Sequence, residues 1–215
     1  MKKLLSFLLL LAVAAAQPAP KLYPVDEGPQ DPGFQAFRRR LLEALRRHDK
    51  DFVMGLLDPA VKVSFGPDDG PQGFAEHWGL DRPASSRLWT ELTTILSLGG
   101  RLQRDGDRTE FCAPYISTHF PDGWDPLEYA AIVASNVIVR SRPAPSAPAI
   151  ARLSFDIVRT EAPASETQAW MKIVTPDGHP GYVARRYVRS PIDYRACFLK
   201  QESGRWVLRL LVAGD

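Results

Sequence analysis

Apolar positions recur at spacings of three and four through the first half of the chain and at spacings of two through the second. That pattern predicts helices first and short strands afterwards. Phe34, Phe37, Leu41 and Leu45 form one stripe behind Asp31-Pro32. Asp caps free N–H groups, and Pro loses nothing at the first helical position. Arg38, Arg39, Arg40, Glu43, Arg46 and Arg47 fall mainly on the other faces and read as a solvated basic surface. A second short helix is expected over 51–57, stopped by Asp58-Pro59. Val61, Val63 and Phe65 alternate with Lys62 and Ser64, which predicts a strand with one buried face. After the turn formers of 66–71 comes a short helix over 74–80. A longer one, capped by Ser85 or Ser86, carries Leu88, Leu92, Ile95 and Leu96 as its core stripe and ends at Gly99-Gly100. Residues 101–104 and 108–112 read as a hairpin around Asp105-Gly106, and 117–126 as a loop.

From there the period is two. Strands are expected over 130–133, 137–139, 149–153, 156–160 and 170–174, with another opening at Gly181-Tyr182-Val183. Asp177-Gly178 between two apolar strands is a hairpin signal, because Gly supplies the positive φ of a tight turn. Three runs are distinctive: Val137-Ile138-Val139-Arg140-Ser141-Arg142-Pro143, Trp170-Met171-Lys172-Ile173 and Gly181-Tyr182-Val183. Together they resemble the bacterial Src-homology-3 domain, whose pattern reads roughly as valine–asparagine–valine–arginine–serine–glycine–proline, then tryptophan-x-lysine-valine, then glycine-tryptophan/tyrosine-valine. The resemblance covers 128–190 and implies an all-β barrel with a binding role. It names no ligand. Ile138 stands where the family has asparagine and Arg142 where it has glycine, so no family ligand is carried over. By its position the proline-rich run 143–148 is a loop of that barrel.

The tail predicts another hairpin, 194–200 and 205–212 around Glu202-Ser203-Gly204, with Trp206, Leu208, Leu210 and Val212 on one apolar face. Two strands alone are marginal, and the barrel is complete at Ser190. The hairpin is therefore expected to join the three strands of 31–127 in a five-stranded antiparallel sheet. The predicted fold is an α+β host domain, 31–127 plus 191–215, with the Src-homology-3-like barrel of 128–190 inserted into it. Helices followed by a curved antiparallel sheet also look loosely like the nuclear-transport-factor-like (cystatin-like) α+β cone, by element order alone.

The first residues change the expected location. Lys2 and Lys3, the apolar run 4–13 and Ala14-Ala15-Ala16 have the three parts of a secretory signal peptide, 1–16. Residues 17–30, rich in Pro, Gly and charge, then read as a flexible lead-in. The expected location is exported, periplasmic or extracellular, with no transmembrane segment after cleavage. The whole chain has 27 Lys and Arg against 25 Asp and Glu, and losing Lys2 and Lys3 makes it formally neutral. That balance lacks the footprint of nucleic-acid binding. Residues 128–190 are mildly basic, with 8 basic and 5 acidic groups.

Chemistry-bearing residues are sparse. Cys112 and Cys197 form no CxxC pair or metal-spaced cluster, so neither zinc nor any other metal or cofactor is expected. In an oxidising compartment two thiols tend to pair, and the inserted-barrel arrangement puts these two on neighbouring strands. A bridge and two separately buried thiols both fit, because a register slip of one residue turns the sulfurs to opposite faces. His77 beside Glu76 is a candidate general base, although helix neighbours point about 100° apart. His119 with Asp122 and Asp125 is a weak ligand pattern; His179 sits at a hairpin tip, and His48 suits the negative end of the first helix. No HExxH, GxSxG or phosphate loop occurs, and no catalytic residue is assigned.

The aromatics of the barrel are better binding candidates. Trp170 shares a strand face with Lys172, and Tyr182 and Tyr187 flank Arg185-Arg186, with Arg140 in the first distinctive run. Such a groove suits a peptide or an acidic glycan-linked stem, though large side chains also serve to close a small barrel. Two functions fit. One is a non-catalytic cell-envelope binding protein that recognises a peptidoglycan peptide or partner protein. The other is a cell-envelope enzyme with acid–base residues in a cone pocket, His77 the first candidate.

Overall fold

Asp31 starts the first helix, α1 (Pro32–Arg46), as its sequence predicts. Its carboxylate accepts the Phe34 N–H at 2.9 Å, and Pro32 takes the first turn. The computed structural model describes residues 20–67, 69–161 and 168–214. The expected signal peptide, 1–16, lies outside the described residues. Asp49 caps the short α2 (Lys50–Gly55) in the same way, and the chain enters β1 (Leu57–Lys62). After α3 (Gly70–His77) and α4 (Leu88–Ser97) come β2 (Arg101–Asp105), β3 (Arg108–Ala113) and one turn of helix, α5 (Tyr115–His119).

The next seven strands form a sheet of their own. They are β4 (Tyr129–Ile132), β5 (Val137–Arg140), β6 (Ala149–Leu153), β7 (Ile157–Thr160), β8 (Trp170–Val174), β9 (Pro180–Ala184) and β10 (Val188–Arg189). The chain then returns to the first sheet as β11 (Arg195–Lys200) and β12 (Trp206–Val212). The first sheet has the order β1-β12-β11-β3-β2, so β3 and β11 are neighbours although the whole second sheet separates them in sequence.

The fold is α+β, and two expectations about its sheets are corrected. The five-stranded sheet is mixed, because β1 runs parallel to β12. That strand begins at Leu57, earlier than the alternation of 61–65 suggested, and Phe65 stands 62% exposed beyond its end. Pro59 is tolerated there because β1 is an edge strand. The second sheet has the order β10-β4-β7-β8-β9-β5-β6, and every pairing is antiparallel. Among the described residues its end strands β10 and β6 do not pair, so hydrogen bonding leaves open the barrel that was expected.

Three apolar clusters hold these parts. In the first sheet Phe34 of α1 lies against Phe111, Trp206 and Phe198, with ring centroids at 4.1, 4.8 and 5.9 Å. Trp206 and Leu208 enter this core, but Leu211 follows in place of the expected Leu210. The register shifts between Cys197 and Phe198, where Arg209 is the extra residue on β12, and such a bulge exchanges the two faces of a strand. The second sheet is filled by Val139, Met171, Ile173 and Val183 among others.

The third cluster lies between α5 and the second sheet. It joins Leu22 to Tyr115, Ile116, Ala131 and Ile157. Residues 20–30, expected to be a flexible lead-in, instead form a strap. Leu22 N–H donates to the Phe155 carbonyl at 2.7 Å and Lys21 pairs with Asp156 at 2.8 Å, on the second sheet. Glu27 N–H donates to the Gly100 carbonyl at 2.9 Å, and Asp26 takes Arg38 of α1 at 2.7 and 2.9 Å. The strap passes so close to Gly99 that a Cβ there would stand 2.5 Å from the Val25 carbonyl oxygen. A Cβ on Gly100 would meet the Cys112 carbonyl oxygen at 2.1 Å. The glycine pair that ends α4 is thus also a crossing point of the backbone. No helix among the described residues is long and apolar enough to cross a membrane.

Candidate functional site

Alternation along β8 buries Met171 and Ile173 and leaves Trp170 and Lys172 on the outer face. Opposite them on β9 stand Ala184 and Tyr182, and Tyr182 in turn faces Arg140 on β5. Two features shape the ground between these strands and the 3₁₀ turn Arg185–Tyr187. That turn lifts Tyr187 to the edge of the sheet, and Arg186 lies over its ring at 4.7 Å from the centroid. At the other edge Asn136 takes φ 56°, a left-handed position that Asn tolerates, and its N–H donates to Ser154 Oγ at 2.9 Å.

The result is a groove of about 480 Å³ on which Trp170, Tyr187, Arg186, Arg140, Asn136 and Ile138 converge. Trp170 and Tyr187 supply half-buried aromatic surface. Arg140 is held by its own loop, donating to the Ala147 carbonyl at 2.6 Å, so its orientation is fixed before a ligand arrives. Such a site suits an extended chain with an apolar part and a hydrogen-bonding or acidic part.

Of the seven binding candidates the structure brings four together: Trp170, Arg140, Arg186 and Tyr187. The other three stand outside the groove. Lys172 is tied to Glu161, and that carboxylate holds its ammonium above the ordinary lysine range. Tyr182 lies between Lys172 and Arg140 in the cross-strand row. Arg185 turns away to the Val188 carbonyl at 2.6 Å and to Asp193 at 3.2 Å. Sequence reasoning missed Asn136 and Pro145 as groove residues. A signal existed for the first, since Ser135-Asn136 fills the gap between two predicted strands. Pro145 gave none, because a loop's path over a sheet is not written in its composition.

Cys112 and Cys197 face each other directly across β3 and β11, with Cα atoms 4.1 Å apart and sulfurs at bonding distance. That separation sits just below the usual lower limit of about 4.4 Å for a bridge. Glu110 beside them completes the one grouping of potential metal ligands among the described residues, and a disulfide takes both thiolates out of it.

The histidines are dispersed. His77 is exposed on α3, with its Nε2 3.1 Å from the Tyr194 hydroxyl. The hollow beside it, about 240 Å³, has no carboxylate among the described residues that line it. His48, at φ 54°, stacks on Trp89 at 5.1 Å, His119 Nδ1 lies 2.9 Å from Thr118 Oγ1, and His179 is exposed near Asp177 at 3.9 Å. Asp125, of the weak ligand pattern around His119, caps a turn by accepting the Leu127 N–H at 2.8 Å. Phe34 and its aromatic neighbours fill the space between α1 and the first sheet.

No protein-family model matches the chain, and a comparison with characterised proteins finds no match.

Proposed function

We propose that this is an exported, non-catalytic binding protein of the cell envelope, whose groove holds a peptidoglycan peptide or an extended segment of a partner protein. The groove itself carries the reading. Trp170 and Tyr187 offer broad faces at little entropic cost, and Arg140 and Arg186 offer charged donors at its edges. Export draws support from the signal-peptide pattern and from the cysteine pair at disulfide distance, which is at home in an oxidising compartment.

In the same reading 128–190 is a Src-homology-3-like unit inserted between β3 and β11 of the host. Seven short antiparallel strands with their own apolar core, all lying between two adjacent host strands, support it. The test is retention of the mature protein by purified sacculi and by purified envelope proteins, with Trp170→Ala and Tyr187→Ala beside the wild type. Retention that falls about tenfold or more in both variants is the expected result, the scale of a lost aromatic anchor. Retention unchanged by both, or none by the wild type, rejects the groove.

A further inference from the structure

The groove does not end at Arg186. Arg186 also lines a second cavity, about 550 Å³, between α4 and β10. One wall is a polar stripe of α4: Thr90, Glu91, Thr94 and Ser97, whose spacings of one, three and four residues keep them on one side of the helix. Thr94 and Ser97 already give their hydroxyl protons to the helix carbonyls of Thr90 and Thr94, both at 2.8 Å. The opposite wall brings Arg185, Arg186 and Arg189 together with Asp193. Each of the two carboxylates in the cavity is taken. Glu91 pairs with Arg189 at 2.7 Å and Asp193 with Arg185 at 3.2 Å. Arg186 is the member of this arginine trio with no carboxylate partner among the described residues; its contact is the Tyr187 face. A guanidinium stacked in this way keeps its N–H edge available for bidentate pairing.

We propose that the cleft between α4 and β10 receives an acidic end of the same ligand, so that the protein binds an extended peptide carrying both an apolar and a carboxylate-bearing part. This rests on the groove being a binding site. The apolar part lies on Trp170 and Tyr187. The carboxylate turns past Arg186 into the cleft, where that guanidinium, without a carboxylate partner among the described residues, receives it. A neutral or basic peptide of the same length gains nothing there.

The probe is fluorescein-labelled Phe-Glu-Glu, with labelled Phe-Gln-Gln as its neutral match, titrated by anisotropy against the full mature protein. Arg186→Gln removes the shared cation. Thr94→Trp fills the cleft from a helix surface and leaves the groove intact, and Arg39→Gln removes one charge from the outer face of α1 as a control. The expected result is tighter binding of Phe-Glu-Glu than of Phe-Gln-Gln, weakened about tenfold by Arg186→Gln and by Thr94→Trp and unchanged by Arg39→Gln. Equal binding of the two peptides, an Arg186→Gln effect no larger than that of Arg39→Gln, or no binding at millimolar concentration overturns it. Trp170→Ala separates the two readings. Loss of Phe-Glu-Glu binding in Trp170→Ala but not in Thr94→Trp rejects the cleft and keeps the groove, and loss in neither rejects both.

Discussion

Arg189 on β10 reaches Glu91 on α4 at 2.7 Å, and the same guanidinium nitrogen donates to the Tyr194 carbonyl at 2.6 Å. Arg189 is 9% exposed, so one buried arginine links the second sheet, a helix of the first, and the segment by which the chain returns. Glu91→Ala leaves that charge buried without its counter-ion. Breaking a fully buried pair costs about 3–5 kcal/mol, and the partly exposed Glu91 reduces this to about 1–3 kcal/mol. Urea denaturation checks it. A midpoint unchanged by Glu91→Ala would mean that water already screens the pair.

The Cys112–Cys197 bridge spans a sequence separation of 85, across which the entire second sheet is built. Long loops gain most from closure in the chain-entropy argument, about 4–5 kcal/mol as an upper figure. A Cys112→Ala/Cys197→Ala double variant should therefore melt well below the oxidised wild type, and adding reductant should lower the wild type and not the variant. Intact mass after alkylation without reduction should show neither cysteine labelled. Two alkylated cysteines in the exported protein would reject the bridge.

Acid should act through Asp31. Burial pushes its carboxyl up as the largest single influence. The hydrogen bond and charge of Lys200 at 2.8 Å, with the Phe34 and Gly33 N–H groups, outweigh it and hold the pKa below its ordinary 3.8. A carboxylate with a depressed folded-state pKa contributes stability that is full above its unfolded pKa and is lost as pH falls through the folded value. Asp31→Ala should cost about 1–2 kcal/mol at neutral pH, the range of a lost cap, and progressively less below pH of about 4. Chemical denaturation from pH 7 to pH 2 checks this. A wild-type to variant gap that stays constant over that range would assign the loss to packing.

The parts of this fold that were legible in the sequence are those written locally. Asp31-Pro32 with the Phe34–Leu45 stripe, and the Trp206–Leu208 alternation, state their element and buried face within a few residues. The bulge at Arg209 was not legible, because an extra residue in one strand is defined only against its partner β11. Nor was the parallel run of β1, since Val61 and Val63 bury equally well in either direction. At the site, Trp170, Arg140, Arg186 and Tyr187 could be named from short motifs. Lys172 and Arg185 have the same residue types but point elsewhere, because Glu161 and Asp193 claim them from outside those motifs.

Composition misjudged the strap most of all, and it offers the sharpest remaining test. Proline, glycine and charge in 20–30 read as an unstructured leader, yet Leu22 is 6% exposed in the cluster between α5 and the second sheet. Its backbone N–H is also spent on Phe155. Lys21 beside it makes the more conspicuous contact, a 2.8 Å pair with Asp156, but its side chain is 38% exposed. Burial ranks them in reverse order of appearance. Truncating a buried leucine costs about 2–5 kcal/mol, with the low end fitting a cluster at a surface seam, whereas an exposed ion pair contributes about 0–1 kcal/mol. Leu22→Ala should therefore lower the urea midpoint well below that of Lys21→Ala. It should also raise the tryptophan fluorescence response of Trp124, which belongs to the same cluster, before the global transition. Equal midpoints for the two variants would mean that the strap is held by its backbone hydrogen bonds and charges, and that the junction core closes without Leu22.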